Sequence, residues 1–314
     1  MELFRMTRNQ KRGLLKMVKI LNFGSINIDN VFQVDEFVRP GETIEAKSLE
    51  HFPGGKGLNQ SIALARAGAE VYHAGKVGSD GKWLLELMNH AGVHTDFVKK
   101  TGSVTGKAII QVNRSGQNCI IVYHGANGEI TKQEIDLTLQ NFSRGDWLLL
   151  QNEINNNLYL IDKAFHLGMK IIWNPSPFVQ NLREYPMEKI SCYLLNEIEG
   201  YGLTGEKKPE KIVKVLLQRN PKTKVVLTLG KEGVLYSAAY CNLRHGIYRV
   251  PVVDTTGAGD TFTGFFLACM AHGESVEEAL RLASVASSIE VSRKGAACAI
   301  PTIQEVRKAK LALQ

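Results

Sequence analysis

One short segment of the sequence places small residues directly before a carboxylate. Gly257-Ala258-Gly259 is followed by Asp260, and the apolar run Phe262 to Ala271 predicts a helix that starts there. The unpaired N–H groups of a helix N-terminus bind anions, and small residues let an anion approach the backbone. A carboxylate in that position could take a hydroxyl proton, so the segment suits phosphoryl transfer to an alcohol. An ordinary helix cap, formed by Asp with nearby Gly, is equally consistent with these residues.

A second glycine-rich segment, Gly54 to Gln60, also precedes a predicted helix. Its Lys56 and Asn59 could donate hydrogen bonds to a polyhydroxylated ligand, and helix-capping glycines are the alternative. The segment lacks Walker spacing. The nearest approach to a Walker motif, Gly102 to Ala108, is one residue too short and has Ala where Ser or Thr would hold Mg²⁺. A Walker-type nucleotide hydrolase is therefore disfavoured.

Further polar side chains follow predicted strands. Asn27 and Asp29 come after the first strand and share a face if the segment stays extended, which suits recognition of vicinal hydroxyls. A polar turn is the alternative for that pair. Glu153 follows another strand, at the position where α/β proteins bind ligands. Two more polar strand ends are Asn174 to Pro177 and Thr228 to Gly233.

Asn196 and Glu199 are spaced three residues apart at a predicted helix start. Oxygen ligands at this spacing can hold Mg²⁺, often through water. A capping box is the alternative interpretation. Because all these clusters fall at the carboxyl ends of parallel strands, we expect them to meet along one edge of the sheet.

The elements that would position these residues alternate between strands and helices, which predicts right-handed crossovers and a mostly parallel sheet covered on both faces. The predicted strands are Val18–Phe23, Val71–Val77, Trp147–Leu150, Lys170–Trp173, Tyr193–Leu195 and Val225–Leu229. The predicted helices are Leu58–Ala67, Lys82–Ala91, Leu158–Leu167, Glu210–Gln218, the run after Asp260, and Val276–Ala286.

Two segments interrupt the alternation. Val31 to Glu45, and Gly106 to Tyr123 with a turn at residues 113–116, alternate polar and apolar residues as hairpin strands do. They predict a small antiparallel sheet apart from the main one, a lid built from about residues 30–48 and 104–124. An edge extension of the main sheet is the alternative.

With 314 residues, 44% of them hydrophobic, the chain is long enough for one large α/β domain, expected over residues 17–314. Residues 1–16 contain five Lys or Arg and one Glu, and we expect them to form a disordered basic tail. That tail accounts for +4 of the net charge of +7, so the remainder is only mildly basic. Without a basic stripe interleaved with aromatic residues, or an apolar run near ~18 residues, we expect neither nucleic acid nor membrane as a partner.

The five cysteines are widely spaced and include no Cys-x-x-Cys pair. This pattern disfavours a disulfide framework or a zinc ribbon. It fits a reducing, cytoplasmic location.

Taken together, these motifs resemble the ribokinase-like (PfkB) family of carbohydrate kinases, over about Val18 to Pro301. The similarity rests on the two signatures GGKGLNQSIALARAG at residues 54–68 and DTTGAGDTF at residues 254–262. Four shorter matches support it: residues 24–29 (GSINID), 124–128 (HGANG), 174–177 (NPSP) and 293–296 (RKGA).

The resemblance implies a three-layer fold and ATP-dependent phosphorylation of the 5-hydroxymethyl group of ribose. It implies Asp260 as the base, with the 257–259 turn stabilising the transferred phosphoryl group. Residues implied to hold the sugar are Asn27, Asp29, Gly54, Gly55, Lys56, Asn59, Glu153 and Asp260. Residues implied along ATP are Asn196, Thr228, Gly230, Gly233, Gly257, Ala258, Gly259 and Ser284, with Asn196 and Glu199 organising Mg²⁺. A homodimer paired through the lid is also implied.

The same resemblance implies a monovalent cation, usually K⁺, beside the anion-binding turn. The implied positions are Asp254, Thr256, Glu290, Arg293, Gly295 and Ala299. Two of them depart from the family pattern, since Glu290 replaces a small residue and Ala299 replaces a hydroxyl residue. A backbone contact at 290 would preserve the site, whereas the lost hydroxyl at 299 would weaken it.

Three rival functions stay open or are disfavoured at this point. A related kinase for 2-deoxyribose, a nucleoside or a hexose would use the same motifs. A non-catalytic sugar or nucleotide sensor should have lost part of the base, the glycine turn or the Mg²⁺ pair, and all three are present. A Rossmann dehydrogenase would need Gly-x-Gly-x-x-Gly after the first strand, where Gly24-Ser-Ile-Asn stands instead.

Overall fold

The computed structural model describes residues 18–314, and the predicted disordered tail, residues 1–16, lies outside the described residues. A nine-stranded sheet forms its centre. The strands of this sheet are β1 (Ile20–Phe23), β4 (Val71–Val77), β5 (His94–Lys100), β8 (Trp147–Leu150), β9 (Lys170–Trp173), β10 (Cys192–Asn196), β11 (Lys224–Thr228), β12 (Val234–Ala238) and β13 (Cys241–His245).

The strand order is β13-β12-β11-β10-β9-β8-β1-β4-β5. Every neighbouring pair from β11 to β5 is parallel, and the pairs β11–β12 and β12–β13 are antiparallel. The predicted mostly parallel sheet is confirmed, and its six predicted strands are all present. The sequence analysis missed β5, β12 and β13. Of these, β5 and β13 are the edge strands of the sheet, and their residues are either exposed or half-buried.

Helices cover both faces of the sheet and give three layers. The helices are α1 (Lys56–Arg66), α2 (Lys82–His90), α3 (Lys132–Leu139), α4 (Asn157–His166), α5 (Glu197–Thr204), α6 (Pro209–Arg219), α7 (Ala258–Ala271), α8 (Val276–Val291) and α9 (Ile303–Lys308). One apolar core joins α1, α2, α7, α8 and α9 to one face of the sheet. A second apolar core joins the four helices α3, α4, α5 and α6 to the other face of the sheet.

The small sheet is separate from the main one, as predicted, but its strands differ from the prediction. It contains β2 (Asn27–Gln33), β3 (Ser48–Gly54), β6 (Gly106–Val112) and β7 (Asn118–Tyr123), in the order β3-β2-β6-β7. The predicted hairpin from Val31 to Glu45 is wrong, because β2 ends at Gln33 and pairs with β3 across an irregular segment. The β2–β6 pair is parallel, so the sheet is mixed rather than fully antiparallel.

Helix α7 begins earlier than its apolar run suggested. Gly257 is its N-cap residue, so Ala258, Gly259 and Asp260 form its first turn. Asp260 is therefore the third helical residue rather than part of a preceding loop. A carboxylate in the first turn is favoured by the positive end of the helix dipole.

Within residues 18–314, every helix is too short or too polar to cross a lipid bilayer.

Candidate active site

The carboxylate of Asp260 is buried at the start of α7, with 7% of the residue exposed. Asn59 Nδ2 donates to its Oδ2 at 3.1 Å, and Gln60 Nε2 donates to its Oδ1 at 2.8 Å. Both donors lie in the first turns of α1, the helix that follows the glycine-rich segment. The two glycine-rich segments, about 200 residues apart in sequence, thus meet at one carboxylate.

The turn at Gly257 has a backbone conformation that favours glycine, with φ at +90°. A Cβ added to Gly257 would lie 2.8 Å from the Cβ of Ala296 and 3.2 Å from Oε1 of Glu290. Gly259, in contrast, faces open space, with no atom within 4 Å of the position of an added Cβ. The turn is therefore closely packed on its inner side and open on the side from which an anion could approach.

A chain of buried side-chain amides fixes the orientation of the Gln60 amide. Asn22 Nδ2 donates to the Gly57 carbonyl at 2.8 Å, so the Asn22 oxygen must accept. Gln151 Nε2 donates to that oxygen at 3.0 Å and to Gln60 Oε1 at 2.6 Å. The NH₂ group of Gln60 is then left to face Asp260. A backbone carbonyl, which can only accept, thus sets the direction of every hydrogen bond up to the carboxylate.

The sequence analysis did not single out Gln60, Gln151 or Asn22. Gln60 and Asn22 are fully buried and Gln151 is 1% exposed. The sequence indicated their role only weakly, because each is an amide side chain in or beside an apolar run. Asn22 lies on β1 and Gln151 directly follows β8, and nothing in the sequence indicates that they meet.

A cavity of about 230 Å³ joins the base, the turn and the ends of β10 and β11. Lys56, Asp260, Gly257 and Gly259 line one part of it. The remaining polar lining comes from Asn174, Ser176, Asn196, Glu199, Thr228, Thr255 and Thr263. The predicted convergence of strand ends is therefore observed for these residues.

Asp29, Lys56 and Glu153 surround the other side of Asp260. Lys56 N–H donates to Glu153 Oε2 at 2.9 Å, and the Ser25 hydroxyl donates to the same oxygen. The pKa of the Lys56 ammonium is raised, mainly by the negative charge of Asp260. Burial, and then the negative charges of Glu153 and Asp260, raise the pKa of Asp29 to about 7. The carboxylates of Asp260, Glu153 and Glu199 all act on this one partly buried lysine.

Asn27 and Asp29 lie two residues apart on β2, so they share a face as predicted. Asn127 Nδ2 donates to Asn27 Oδ1 at 2.7 Å, which leaves the Asn27 amide NH₂ as a donor. Gly54 makes room for Asp29, because a Cβ there would lie 2.1 Å from a carboxylate oxygen. Gly55 is the N-cap residue of α1.

Asn196 and Glu199 form the capping box that was the alternative to a metal site. Asn196 Oδ1 accepts from the Glu199 N–H at 3.0 Å, and Glu199 Oε2 accepts from the Asn196 N–H at 2.9 Å. Both residues nevertheless line the cavity. Within residues 18–314 there is no group of three or more His, Cys, Asp or Glu side chains placed to hold a metal.

The structure does not bring every predicted nucleotide residue to the cavity. Gly230 begins a short 3₁₀ turn after β11, and Gly233 follows that turn. Ser284 is buried within α8. Of the predicted set on this side, Thr228 and Asn196 line the cavity, and Gly230, Gly233 and Ser284 do not.

The predicted cation positions gather behind the turn. Asp254 Oδ1 accepts from the Thr256 N–H at 2.9 Å, and its Oδ2 accepts from the Gly295 N–H at 3.1 Å. The Arg293 side chain binds Glu305 at 2.7 Å and the Ala299 carbonyl at 3.3 Å, so it points away from Asp254. Glu290 is fully buried.

Comparison with known proteins decides the family. Residues 17–303 match the family described as pfkB family carbohydrate kinase. The chain belongs to the pfkB family of carbohydrate kinases. The predicted family and enzyme class are therefore confirmed, and a dehydrogenase is excluded.

Individual pfkB-family relatives are similar along nearly the whole chain. The ribokinase of Bacillus subtilis is 36% identical over 297 residues, covering 93% of this chain and 99% of that protein. The ribokinase of Haemophilus influenzae is 34% identical over 294 residues, covering 90% of this chain and 95% of that protein. A structure of Arabidopsis thaliana ribokinase complexed with ribose and ATP has a TM-score of 0.81 at 30% identity, covering 93% and 98%. The predicted three-layer fold with a small separate sheet is confirmed by this likeness.

Proposed function

We propose that this pfkB-family protein transfers the γ-phosphoryl group of ATP to the 5-hydroxyl of ribose. The observation that carries the proposal is the position of Asp260, beside the Gly257–Gly259 turn and Lys56 in one cavity. The ribokinase relatives, one of them solved with ribose and ATP, support the choice of substrates. In this proposal, residues 17–314 form one kinase domain.

In the proposed mechanism, Asp260 accepts the proton of the 5-hydroxyl as its oxygen attacks phosphorus. The bonds from Asn59 and Gln60 hold the carboxylate in place and leave it an acceptor. The N–H groups of the turn formed by Gly257, Ala258 and Gly259 stabilise the charge on the transferred phosphoryl group. Lys56, which is held near Asp260 and Glu153, adds positive charge on the same side.

We assign the sugar to the region beside Asp260 that contains Asn27, Asp29 and Glu153, with Lys56, Asn59 and the close-packed Gly54 and Gly55. The free Asn27 NH₂ donates and the Asp29 carboxylate accepts, as recognition of neighbouring hydroxyls requires. We assign the nucleotide to the side with Asn196 and Thr228, extending towards Gly230, Gly233 and Ser284.

Two metal roles belong to the proposal. Asn196 and Glu199 fit Mg²⁺ because both residues line the cavity and carry side-chain oxygens, and Mg²⁺ usually keeps several waters and phosphate oxygens. When bound, the ion would neutralise charge on the phosphates. A second cation beside the turn, held by Asp254 with the segments around Thr256 and Gly295, would strengthen the positive potential there. The resemblance implies K⁺ for that cation, with Glu290, Arg293 and Ala299 as further positions.

The activity is tested with a panel of ribose, 2-deoxyribose, fructose and a nucleoside, assayed by ADP release. We expect the highest kcat/KM for ribose and a 5-phosphate product in the ³¹P NMR spectrum. A higher kcat/KM for another acceptor would replace ribose as the substrate. Saturable ribose binding without ADP release would instead indicate a sensor.

Ribose binding is expected to weaken as the pH falls through about 7. Asp29 has its pKa raised to about 7, so it is ionised above that pH and protonated below it. Because the protonated form loses acceptor capacity, KM for ribose should rise up to about tenfold for each pH unit below 7. Steady-state kinetics at several pH values measures this.

The variant Asp29→Asn provides the matched control, since it is neutral at every pH. Its KM for ribose should be high and nearly independent of pH between about 5.5 and 8.5. A wild-type KM as flat as that of Asp29→Asn would remove Asp29 from sugar recognition.

We also propose a cytoplasmic homodimer paired through the small sheet. All five cysteines are free, which fits a reducing compartment. Strand β7 is an edge strand, and its apolar residues Ile120, Ile121, Val122 and Tyr123 are each at least half exposed. Such a surface is typical of an interface between subunits.

The lysine variant Ile121→Lys tests the dimer. Ile121 is 64% exposed and pairs with Ile109, on the face of the sheet opposite to Asp29. We expect the wild type to be a dimer at micromolar concentration by light scattering and Ile121→Lys to be a monomer. Tyr240→Lys, at an exposed turn between β12 and β13, should stay dimeric. A monomeric wild type would refute the proposed interface.

A further inference from the structure

Glu290 is a buried carboxylate without a hydrogen-bond donor. Its residue is fully buried on α8, and neither Oε1 nor Oε2 has a hydrogen-bond partner within residues 18–314. Oε1 lies 3.2 Å from the position that a Cβ on Gly257 would take. The side chain therefore points at the inner side of the anion-binding turn.

The charges that act on Glu290 are negative. Burial, and then the carboxylates of Asp254 and Asp260, raise the pKa of Glu290 to about 9. The two cationic residues that follow α8 are bound elsewhere, since Arg293 pairs with Glu305 at 2.7 Å and Lys294 pairs with Glu50 at 2.9 Å. A buried ionised carboxylate with no partner is strongly disfavoured, so Glu290 becomes ionised only when a cation binds beside it.

Asp254 lies beside the same turn as Glu290. Its carboxylate accepts from the N–H groups of Thr256 and Gly295. Oε1 of Glu290 lies beside Gly257, whose inner side also contacts Ala296. Asp254 thus binds the backbone at 256 and at 295, and Oε1 of Glu290 lies near the next residue of the same turn, Gly257.

We propose that Asp254 and Glu290 together bind one divalent cation between these segments, in place of the monovalent ion. A site with one carboxylate among neutral carbonyl groups is balanced by a cation of charge +1. With a second carboxylate, a cation of charge +2 is needed for balance. Carboxylate and carbonyl oxygens are the ligands of Ca²⁺, Mg²⁺ and related hard cations. With two carboxylates, backbone carbonyls and water would complete the coordination. The Ala299 carbonyl already accepts from Arg293, and its methyl side chain offers no oxygen.

This cation would be distinct from the ion at Asn196 and Glu199, which lies on the phosphate side of the cavity. Placed behind Gly257, it would add positive charge to the turn that receives the phosphoryl group. The binding itself rests on the geometry of Glu290 and Asp254. Its contribution to catalysis rests on the proposed function.

Direct binding of Mn²⁺ tests the proposal without sugar, nucleotide or K⁺. Full-length wild type and the variants Glu290→Ser and Glu290→Gln would be titrated with Mn²⁺ and followed by electron paramagnetic resonance and thermal unfolding. We expect wild type to bind one ion at this site and to gain thermal stability. Both variants should bind it at least about tenfold more weakly and lose the Mn²⁺-dependent gain.

Two control variants separate this site from other acidic residues. Glu277→Gln changes an exposed acid on the same helix, and Glu199→Gln changes the proposed Mg²⁺ position. Glu277→Gln should keep wild-type Mn²⁺ binding. Glu199→Gln should keep the ion at Glu290 and weaken only an ion bound on the phosphate side of the cavity. The proposal is overturned if wild type binds no Mn²⁺, if Glu290→Ser binds it as tightly, or if K⁺ at equal concentration displaces it. None of these outcomes depends on the sugar panel, so failure here and failure of the proposed activity are distinguishable.

Discussion

Asp260→Asn is expected to lower kcat at least about a hundredfold while leaving the protein folded. A positioned base contributes roughly 10²- to 10⁴-fold to a rate, and asparagine cannot accept the hydroxyl proton. The turn formed by residues 257–259 is unchanged in this variant, so KM for ATP should change little. The loss should therefore appear in kcat.

The surrounding hydrogen bonds explain why the variant should fold. Both oxygens of Asp260 accept, one from Asn59 and one from Gln60. Asparagine keeps a single carbonyl oxygen, which must face Gln60 because the amide chain from Gly57 fixes the Gln60 orientation. Its NH₂ group then faces Asn59. The Oδ1 of Asn59 has no hydrogen-bond partner among residues 18–314 and can accept after that amide turns over.

ADP release measures kcat, and thermal unfolding checks the fold. Asp96→Asn is the matched control, because Asp96 is an exposed carboxylate on edge strand β5 and should keep wild-type kcat. Near wild-type activity in purified, folded Asp260→Asn would remove Asp260 from the role of base. A large loss of thermal stability would show instead that its hydrogen bonds mainly hold α1 against α7.

The sequence predicted those features of the site that depend on neighbouring residues, and it did not predict those that depend on contacts between distant segments. The strand ends were predictable because buried parallel strands are short apolar runs, and glycine or polar residues end them. Trp147–Leu150 and Lys170–Trp173 have the same bounds in the structure as in the prediction. Polar residues that follow such runs must meet at one edge of the sheet, and Asn174, Asn196 and Thr228 do so.

Features that depend on contacts between distant segments were not predictable. The hairpin expected from Val31 to Glu45 failed because alternation alone does not show which segment pairs with β2. The start of α7 was placed too late because its first turn, Ala258 to Asp260, is small and polar and lies outside the apolar run. Gln60 and Gln151 are ordinary amides until the fold brings α1 beside the end of β8.

Glu290 shows most clearly the difference between knowing a residue's type from the sequence and knowing its side-chain direction from the structure. The sequence indicated only that a large acid replaces a small residue, and it left open a side chain that points away from the cation site. In the structure the side chain points inward, towards Gly257, and neither of its oxygens has a hydrogen-bond partner in the described part of the chain. The direction of one side chain changes the expected class of cation, and helical periodicity alone did not supply it.

Gly257→Ala is expected to lower kcat on the order of a hundredfold, because it moves the donors of the anion-binding turn. Alanine is strained at φ +90°, and its Cβ would lie 2.8 Å from that of Ala296, so the turn or residues around 296 must shift. Loss of one well-aimed oxyanion donor costs about 3 kcal/mol of transition-state stabilisation. Since the ground-state phosphate makes weaker use of these donors, kcat should fall more than KM for ATP rises.

Gly273→Ala is the matched control for backbone strain. Gly273 follows α7 at its other end with φ +75° and has no atom within 4 Å of an added Cβ. It should lose about 1 kcal/mol of stability and keep its kcat. The double variant Gly257→Ala with Ala296→Gly removes the shortest of these contacts, the one with the Ala296 Cβ, and should recover part of the lost kcat, which a double-mutant cycle would measure. If Gly257→Ala and Gly273→Ala lost stability equally and both kept kcat, the turn would have only a structural role, and phosphoryl charge would have to be stabilised by Lys56 and the metal ion instead.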